Sequence, residues 1–167
     1  FHNLSFAIDA GSALHIKGGN GSGKSTLLRI LLGITTPSKG KIELLKPNTK
    51  ITYLGHKNAI KNYLTPIENL KLIFHQSSLE SALDWFQRLG LSRVQDEISA
   101  NLSFGQQKKL ALIRVLAAPA DLIVLDEPFV GLDDSSRNLL NKYLQESIST
   151  GSSLALTSHI RPEITSK

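Results

Sequence analysis

The sequence predicts a layered α/β domain with a helical insertion, and three observations lead to this class. Short apolar runs typical of strands alternate with segments of helical periodicity. One run, LIVL at residues 122–125, is apolar throughout, as in a parallel strand buried on both faces. Between about residues 56 and 110 the pattern is helical, with strands on both sides. We therefore expect one domain over residues 1–167, with a helical subdomain at about 56–110.

Four strands are predicted in the first third of the chain, at residues 5–8, 13–17, 41–45 and 51–54. The first has Leu4, Phe6 and Ile8 on one side, and this alternation is typical of a half-buried antiparallel strand. A helix is predicted at residues 25–32, where leucines recur at helical spacing, and Gly33 ends it.

Four more helices are predicted, at residues 67–74, 78–89, 104–117 and 135–147. Thr65 is a candidate cap for the first of them, and Pro66 suits its opening turn. The segments DLIVLDEP and SLALTSH supply two further strands. Strands and helices therefore alternate on both sides of the insertion.

Composition excludes several classes of protein. The apolar runs are too short to cross a bilayer, and no basic start leads into a long apolar stretch as in a signal peptide. With no cysteine, the chain has neither disulfides nor cysteine-bound metals, which fits a reducing compartment. The net charge is +5, but the lysines are scattered, so we expect a solvated surface and no specific nucleic-acid partner. Because the chain lacks methionine and begins at Phe1, we expect a piece of a longer protein.

A glycine-rich segment, IKGGNGSGKST, follows the second predicted strand. Gly18, Gly23, Lys24 and Ser25 match the phosphate-binding pattern G-x-x-x-x-G-K-[ST]. Glycine lets the backbone approach closely, so that N–H groups and the positive end of the next helix face the phosphates. Lys24 reaches the outer phosphates, and the Ser25 hydroxyl is a ligand for Mg²⁺. The alternative is an ordinary glycine turn, which the position between a strand and a helix disfavours.

Two carboxylates, Asp126 and Glu127, follow the predicted buried strand. They lie at its carboxyl end, the edge where ligands bind in such sheets. Asp126 can hold the water shell of Mg²⁺, and Glu127 can orient or deprotonate a water facing a γ-phosphate. The alternative is a solvated acidic pair, which is the weaker interpretation beside a phosphate loop.

The segment LSFGQQKK, residues 102–109, is the third motif. Ser103 precedes a predicted helix, and its hydroxyl and the free N–H groups after it can bind an anion. Taken alone, this segment is a helix cap. Its position before LIVLDEP gives it a functional meaning.

These motifs, in this order, resemble the nucleotide-binding domain of ABC ATPases over nearly the whole chain. The glycine loop resembles Walker A, LIVLDEP Walker B, LSFGQ the LSGGQ signature, GLDD (131–134) the D-loop, and LTSH with His159 the switch histidine. The resemblance implies a P-loop NTPase fold, an ABC-type nucleotide-binding domain with antiparallel edge strands and a helical signature subdomain.

The same resemblance implies hydrolysis of ATP with Mg²⁺ in a head-to-tail dimer. ATP would lie between Walker A of one copy and the signature of a second copy of the chain. Glu127, His159 and Lys24 are implied to be catalytic, and Ser25 and Asp126 to be metal ligands. The implied nucleotide-binding residues are Gly18, Gly19, Asn20, Gly21, Ser22, Gly23, Lys24, Ser25, Thr26, Ser103, Gly105 and Gln106.

A narrower resemblance rests on ITYLGHKNAIKNYLTPIENLKLI, residues 51–73. This stretch is similar to the ATPase subunit of bacterial haem exporters in cytochrome c maturation. That likeness implies a peripheral subunit at the cytoplasmic face of the bacterial inner membrane. The implied partners are integral membrane transporter subunits that serve haem delivery to apocytochrome c.

The chain departs from the family's pattern at two places. ABC ATPases usually carry a glutamine after the strand at residues 51–54, and this chain has His56 and Lys57 there. A lysine has no amide oxygen to bind a cation, so the departure bears on coupling to the membrane partner. Phe104 replaces the first glycine of the signature, at a position expected to tolerate change.

Other functions stay open at this point. ATPases of DNA repair and chromosome organisation share the fold, but they place a long coiled coil where this chain has a short insertion without heptads. A second alternative is an ATP-binding dimerisation module with little hydrolysis, which Lys57 motivates. The chain could also serve another ABC transporter.

Overall fold

The computed structural model describes residues 4–44 and 46–159. Four strands form one sheet: β1 (Ala13–Ile16), β2 (Ile51–Leu54), β3 (Leu122–Asp126) and β4 (Ser153–Thr157). The helices are α1 (Lys24–Leu31), α2 (Pro66–Ile73), α3 (Gln76–Arg88), α4 (Phe104–Leu116) and α5 (Asp134–Ser149). Two short 3₁₀ turns, Ser92–Val94 and Ser99–Asn101, lie between α3 and α4.

The sheet has the order β1-β4-β3-β2, and every pair of neighbours is parallel. All five residues of β3 are buried, which confirms the prediction of a parallel strand covered on both faces. Parallel strands end at the same edge of a sheet, so Ile16, Leu54, Asp126 and Thr157 lie along one rim. Asp126, one of the two carboxylates of the predicted site, lies on that rim.

The two faces of the sheet bury two groups of side chains, because side chains alternate along a strand. Leu122 and Val124 pack with Leu28 of α1 on one face. Ile123 and Leu125 belong to the larger cluster on the other face, with the apolar side of α4. The central strands are thereby held between helices, and the rim keeps a defined geometry.

The prediction of antiparallel edge strands is not confirmed in the part of the chain that the structure describes. Residues 4–8 and 41–44 have no regular secondary structure and lie outside the sheet, and Leu45 lies outside the described residues. Leu4 is 51% exposed and Leu44 is 50% exposed. The alternation predicted which side chains share a face, but a strand also needs a hydrogen-bonded neighbour and a core to cover. The sheet described here is entirely parallel.

The predicted helices are confirmed, with ends displaced by at most two residues. Thr65 caps α2 as expected: its side chain accepts from the Glu68 N–H, and the Glu68 carboxylate accepts from the Thr65 N–H. Within the described residues, no helix has the length and apolar character needed to cross a bilayer.

Asn69 anchors the start of the helical insertion. It is 4% exposed. Its Oδ1 accepts from the Lys61 N–H at 2.8 Å, and its amide nitrogen lies 3.0 Å from the Lys61 carbonyl and 3.1 Å from the Ser99 hydroxyl. One buried amide therefore joins α2 to the loop before it and to the turn that leads to α4.

We expect Asn69→Ala to lower the free energy of unfolding by about 2–3 kcal/mol, because the buried Ser99 hydroxyl and the backbone of Lys61 lose their partner. Chemical denaturation monitored by circular dichroism measures the change. Asn138→Ala, on the exposed side of α5, is the matched control and should leave stability nearly unchanged. Equal stabilities of the two variants would contradict the anchoring role.

Candidate functional site

The loop between β1 and α1 has the geometry of a phosphate cradle. Gly21 and Gly23 have φ values of 76° and 90°, a region that glycine adopts readily. A Cβ on Gly18 would lie 2.6 Å from the Ser22 hydroxyl oxygen, so a side chain there would fill the loop. Positive φ at two glycines and the lack of room for a side chain at Gly18 are features of a backbone loop that can bind phosphate.

Lys24 supplies the charge of this loop. Its ammonium donates to the carbonyls of Gly18 at 2.8 Å and Gly19 at 3.0 Å, which holds it across the loop. Ser25 follows in the first turn of α1 and is half-buried, whereas Thr26 is exposed. α1 has no acidic residue in its first turn, so its positive end is uncompensated by its own side chains.

Asp126 ends β3 at the rim. It is 2% exposed, and its Oδ1 accepts from the Thr157 hydroxyl at 2.6 Å. Its other oxygen, Oδ2, is buried and has no hydrogen-bond partner in the described chain. A buried carboxylate oxygen with free lone pairs fits a hard cation such as Mg²⁺, which is bound in proteins through one or two carboxylates and substrate phosphates. The donor set therefore fits the metal that the sequence predicts.

Glu127 has an unusual backbone. Its φ is 48°, in the left-handed region, which costs on the order of 1 kcal/mol or more for a residue with a side chain. Two hydrogen-bond acceptors of Thr157 stabilise this strained conformation. The Glu127 N–H lies 3.1 Å from the Thr157 carbonyl oxygen and 3.0 Å from its hydroxyl oxygen.

His159 faces the Glu127 carboxylate. The His159 N–H donates to Oε2 of Glu127 at 3.2 Å, and the ring Nε2 lies 3.5 Å from Oε1. Oε1 is buried and accepts no hydrogen bond within the described residues. The structure thus brings Asp126, Glu127 and His159 together, and one carboxylate oxygen is left to bind a water.

Thr157 is a functional residue that sequence reasoning missed. Its hydroxyl donates to Asp126 and accepts from the Glu127 N–H, so it holds both members of the acidic pair. The signal was present in the sequence, since LTSH was assigned to the strand before His159. What was lacking was the register, which places Thr157 opposite Asp126 in neighbouring strands.

A buried lysine lies behind the acidic pair. Lys108 of α4 is 2% exposed. Burial lowers the pKa of its ammonium, and the charges of Asp126 and Glu127 oppose that decrease. The carboxylates therefore have a fixed cationic neighbour on the protein side.

The signature residues lie at the start of α4. Ser103 caps the helix: its hydroxyl accepts from the Gln106 N–H at 3.2 Å, and the Gln106 side chain accepts from the Ser103 N–H at 2.8 Å. Ser103 is exposed, and these hydrogen bonds lead to Gln106 and not to the glycine loop. Ser103, Gly105 and Gln106 thus lie together at the start of α4, whereas the Lys24 ammonium is bonded to Gly18 and Gly19.

Two glycines let the start of α4 lie directly on the segment after Glu127. A Cβ on Gly105 would be 2.6 Å from the Gly131 carbonyl oxygen, and one on Gly131 would be 2.5 Å from the Phe104 ring. Nearby, the Lys109 ammonium contacts Asp133 at 2.6 Å. Hydrogen bonds from Lys109 and Ser136 lower the pKa of Asp133 to about 2. The signature surface and the segment that carries Glu127 are therefore one packed unit.

The residues at the expected glutamine position follow β2. His56 and Lys57 are both exposed, just beyond the rim. The next residue, Asn58, is half-buried, and its carbonyl accepts from the Arg114 guanidinium. This hydrogen bond joins the backbone to α4, while the side chains of His56 and Lys57, which differ from the family's pattern, are exposed to solvent.

Comparison with known proteins decides the family. The sequence profile described as "ABC transporter" matches residues 1–130. This chain belongs to the ABC transporter family. The expected ATP-binding ABC subunit is confirmed.

This chain aligns with most of the length of its relatives. The "Cytochrome c biogenesis ATP-binding export protein CcmA" of Idiomarina loihiensis is 38% identical over 95% of this chain and 78% of that protein. The protein of the same name from Dechloromonas aromatica is 35% identical over 95% of this chain and 84% of that protein. A solved "ATP binding subunit of ABC transporter" is 25% identical, with a TM-score of 0.81 over 93% of this chain and 71% of that one.

We expect Thr157→Val to reduce ATP hydrolysis by about tenfold or more, because Asp126 and Glu127 lose their shared hydroxyl. Thr157→Ser keeps the hydroxyl and is the matched control. Steady-state phosphate release at saturating ATP measures the difference. If the valine variant hydrolysed ATP as fast as the serine variant, the hydroxyl would have no part in the site.

Proposed function

We propose that the chain is the ATP-hydrolysing subunit of the haem export or delivery complex of cytochrome c maturation. The observation that carries the ATPase role is the acidic pair held by Thr157 at the rim where the phosphate loop begins. A buried, oriented carboxylate beside a phosphate cradle is what hydrolysis of a nucleoside triphosphate requires.

The glycine loop binds the phosphates of ATP. Backbone N–H groups and the side chains of Ser22, Ser25 and Thr26 face the oxygens, with Gly18, Gly19, Asn20, Gly21 and Gly23 giving them room. Lys24 neutralises charge on the outer phosphates, which grows as the bond to the leaving group breaks. The concave loop and its ammonium support this role.

Asp126 and Ser25 hold Mg²⁺. When bound, the ion neutralises phosphate charge and fixes the orientation of the triphosphate. The unpaired buried oxygen of Asp126 supports this assignment. The Thr157 hydroxyl keeps the other oxygen of Asp126 engaged, so the carboxylate has one orientation.

Glu127 acts on the water. The water oxygen attacks the γ-phosphorus, its proton passes to the Glu127 carboxylate, and the bond to the β-phosphate oxygen breaks to release ADP. His159 donates to the γ-phosphate and stabilises its charge. The free Oε1 of Glu127 and the adjacent His159 ring support these roles.

The second half of the site comes from another copy of the chain. Ser103, Gly105 and Gln106 cannot serve the glycine loop of their own copy through the hydrogen bonds described, and they lie on an exposed helix end. Facing a second copy head-to-tail, the same groups would close over the γ-phosphate. A solved ATP-binding cassette with the same fold is described as dimeric and bound to ADP and phosphate; it is 23% identical, with a TM-score of 0.76.

The haem branch rests on the curated relatives, which are named for export in cytochrome c biogenesis and align with 95% of this chain. In this assignment the subunit is peripheral, at the cytoplasmic face of the bacterial inner membrane. Integral membrane subunits are its partners, and the helical subdomain at about 56–110 belongs to a single nucleotide-binding domain over residues 1–167.

We expect Glu127→Gln to lower ATP hydrolysis by about a hundredfold or more, because the amide cannot accept the proton of water. ATP binding should persist, and the variant should form a dimer with ATP and Mg²⁺ on size-exclusion chromatography. Glu80→Gln, on the exposed side of α3, is the control. Unchanged hydrolysis in Glu127→Gln would remove Glu127 from its role, and a dimer without turnover in the unmodified protein would favour the dimerisation module.

The haem branch is tested in the organism. Replacing the unmodified protein by Glu127→Gln should abolish covalent haem in c-type cytochromes, measured by haem staining of membrane proteins. Purification from membranes should recover integral subunits of cytochrome c maturation. Normal haem attachment, together with recovery of other transporter subunits, would assign the chain to a different ABC transporter.

A further inference from the structure

His15 contacts the segment that carries His159. It lies in β1, is half-buried, and pairs in register with Leu156 of β4. Its ring nitrogen Nε2 is 2.9 Å from the carbonyl oxygen of Ser158. Because a carbonyl only accepts, Nε2 carries the proton in this contact.

The acceptor belongs to the peptide group that joins Ser158 to His159. The N–H of that same group donates to Oε2 of Glu127 at 3.2 Å. A peptide group is planar, with its C=O and N–H pointing in opposite directions. Fixing the oxygen on one side therefore fixes the direction of the N–H on the other.

The result is one continuous chain of hydrogen bonds across the rim. It runs from the His15 ring, through the Ser158–His159 peptide, to the Glu127 carboxylate. The peptide lies just beyond the last residue of β4. A side chain from β1 therefore contacts the carbonyl of the same peptide whose N–H donates to Glu127.

We propose that His15 is a positioning residue for hydrolysis: by holding the Ser158–His159 peptide, it orients the Glu127 carboxylate toward the attacking water. The inference rests on the proposed ATPase role of Glu127. His15 itself touches neither nucleotide nor water. With Oε2 occupied by the peptide N–H, Oε1 of Glu127 is the oxygen left for the proton of the water.

The test compares His15→Leu with His15→Gln in the intact protein. The leucine variant loses the donor, and we expect kcat to fall about tenfold, the lower end of what removing a supporting hydrogen bond costs at such sites, with KM for ATP within about twofold. Glutamine keeps an N–H near the position of Nε2 and should restore kcat to within about threefold. His75→Leu, at the exposed start of α3, is the matched control. If His15→Leu does not fold, His15→Asn takes its place, since its shorter amide falls short of the carbonyl.

A double-mutant cycle separates positioning from a merely structural bond. In the Glu127→Gln background, His15→Leu should lower the residual rate no further, because both changes act on one carboxylate. Equal fold-losses in both backgrounds would overturn the proposal.

Hydrogen exchange tests the geometry without nucleotide. The His159 amide should exchange about tenfold faster in His15→Leu than in the unmodified protein or His15→Gln. Unchanged exchange, or an unchanged kcat, would also overturn the inference. Absence of ATP hydrolysis in the unmodified protein would instead refute the proposed function. The hydrogen-exchange measurement would still test whether the His15–Ser158 hydrogen bond holds the peptide.

Discussion

A single hydroxyl, that of Thr157, holds the arrangement on which the rest of the rim depends. Asp126 is almost completely buried, and a buried carboxylate is costly unless it is hydrogen-bonded. Thr157 bonds one of its oxygens and leaves the other unpaired. The same oxygen atom of Thr157 accepts the N–H of Glu127 and helps to retain a backbone turn that is otherwise unfavourable. The positions of both carboxylates thus depend on one oxygen atom.

This arrangement follows from parallel pairing. In the register of β3 and β4, Asp126 and Thr157 are direct neighbours, so the last residues of the two strands lie side by side. The helices on both faces make that register hard to change, because a slip by one residue would turn Val124 and Leu125 toward the wrong cluster. The chemistry at the rim therefore depends on apolar packing several residues away.

The sequence predicted much of this, and the reason differs from element to element. The all-apolar run of β3 and the capped start of α2 carry their signals locally, and both were predicted correctly. Loop, acidic pair and signature were recognised by their order along the chain, and the family comparison confirms the class. Residues 5–8 were predicted as a strand from alternation and 41–45 as a further strand, but a local pattern does not reveal whether a neighbouring strand is present. The predicted roles of the individual site residues remain predictions.

What the sequence could not reveal are contacts between distant segments. Thr157 and His15 look like ordinary strand residues until the register places Thr157 opposite Asp126 and a hydrogen bond joins His15 to Ser158. In the sequence, Lys108 and Lys109 form a basic pair after the signature. In the fold, Lys108 is buried and Lys109 forms an ion pair with Asp133. Such pairings depend on the whole chain and have no local pattern.

The close contact of Phe104 with Gly131 links the choices open to two positions far apart in the chain. With the ring in this orientation a Cβ at 131 would meet it, so a side chain at 131 would require either a smaller residue at 104 or a movement of the exposed Phe104 ring. The left-handed backbone at 131 favours glycine as well. The two positions should therefore vary together in evolution wherever the ring keeps this orientation.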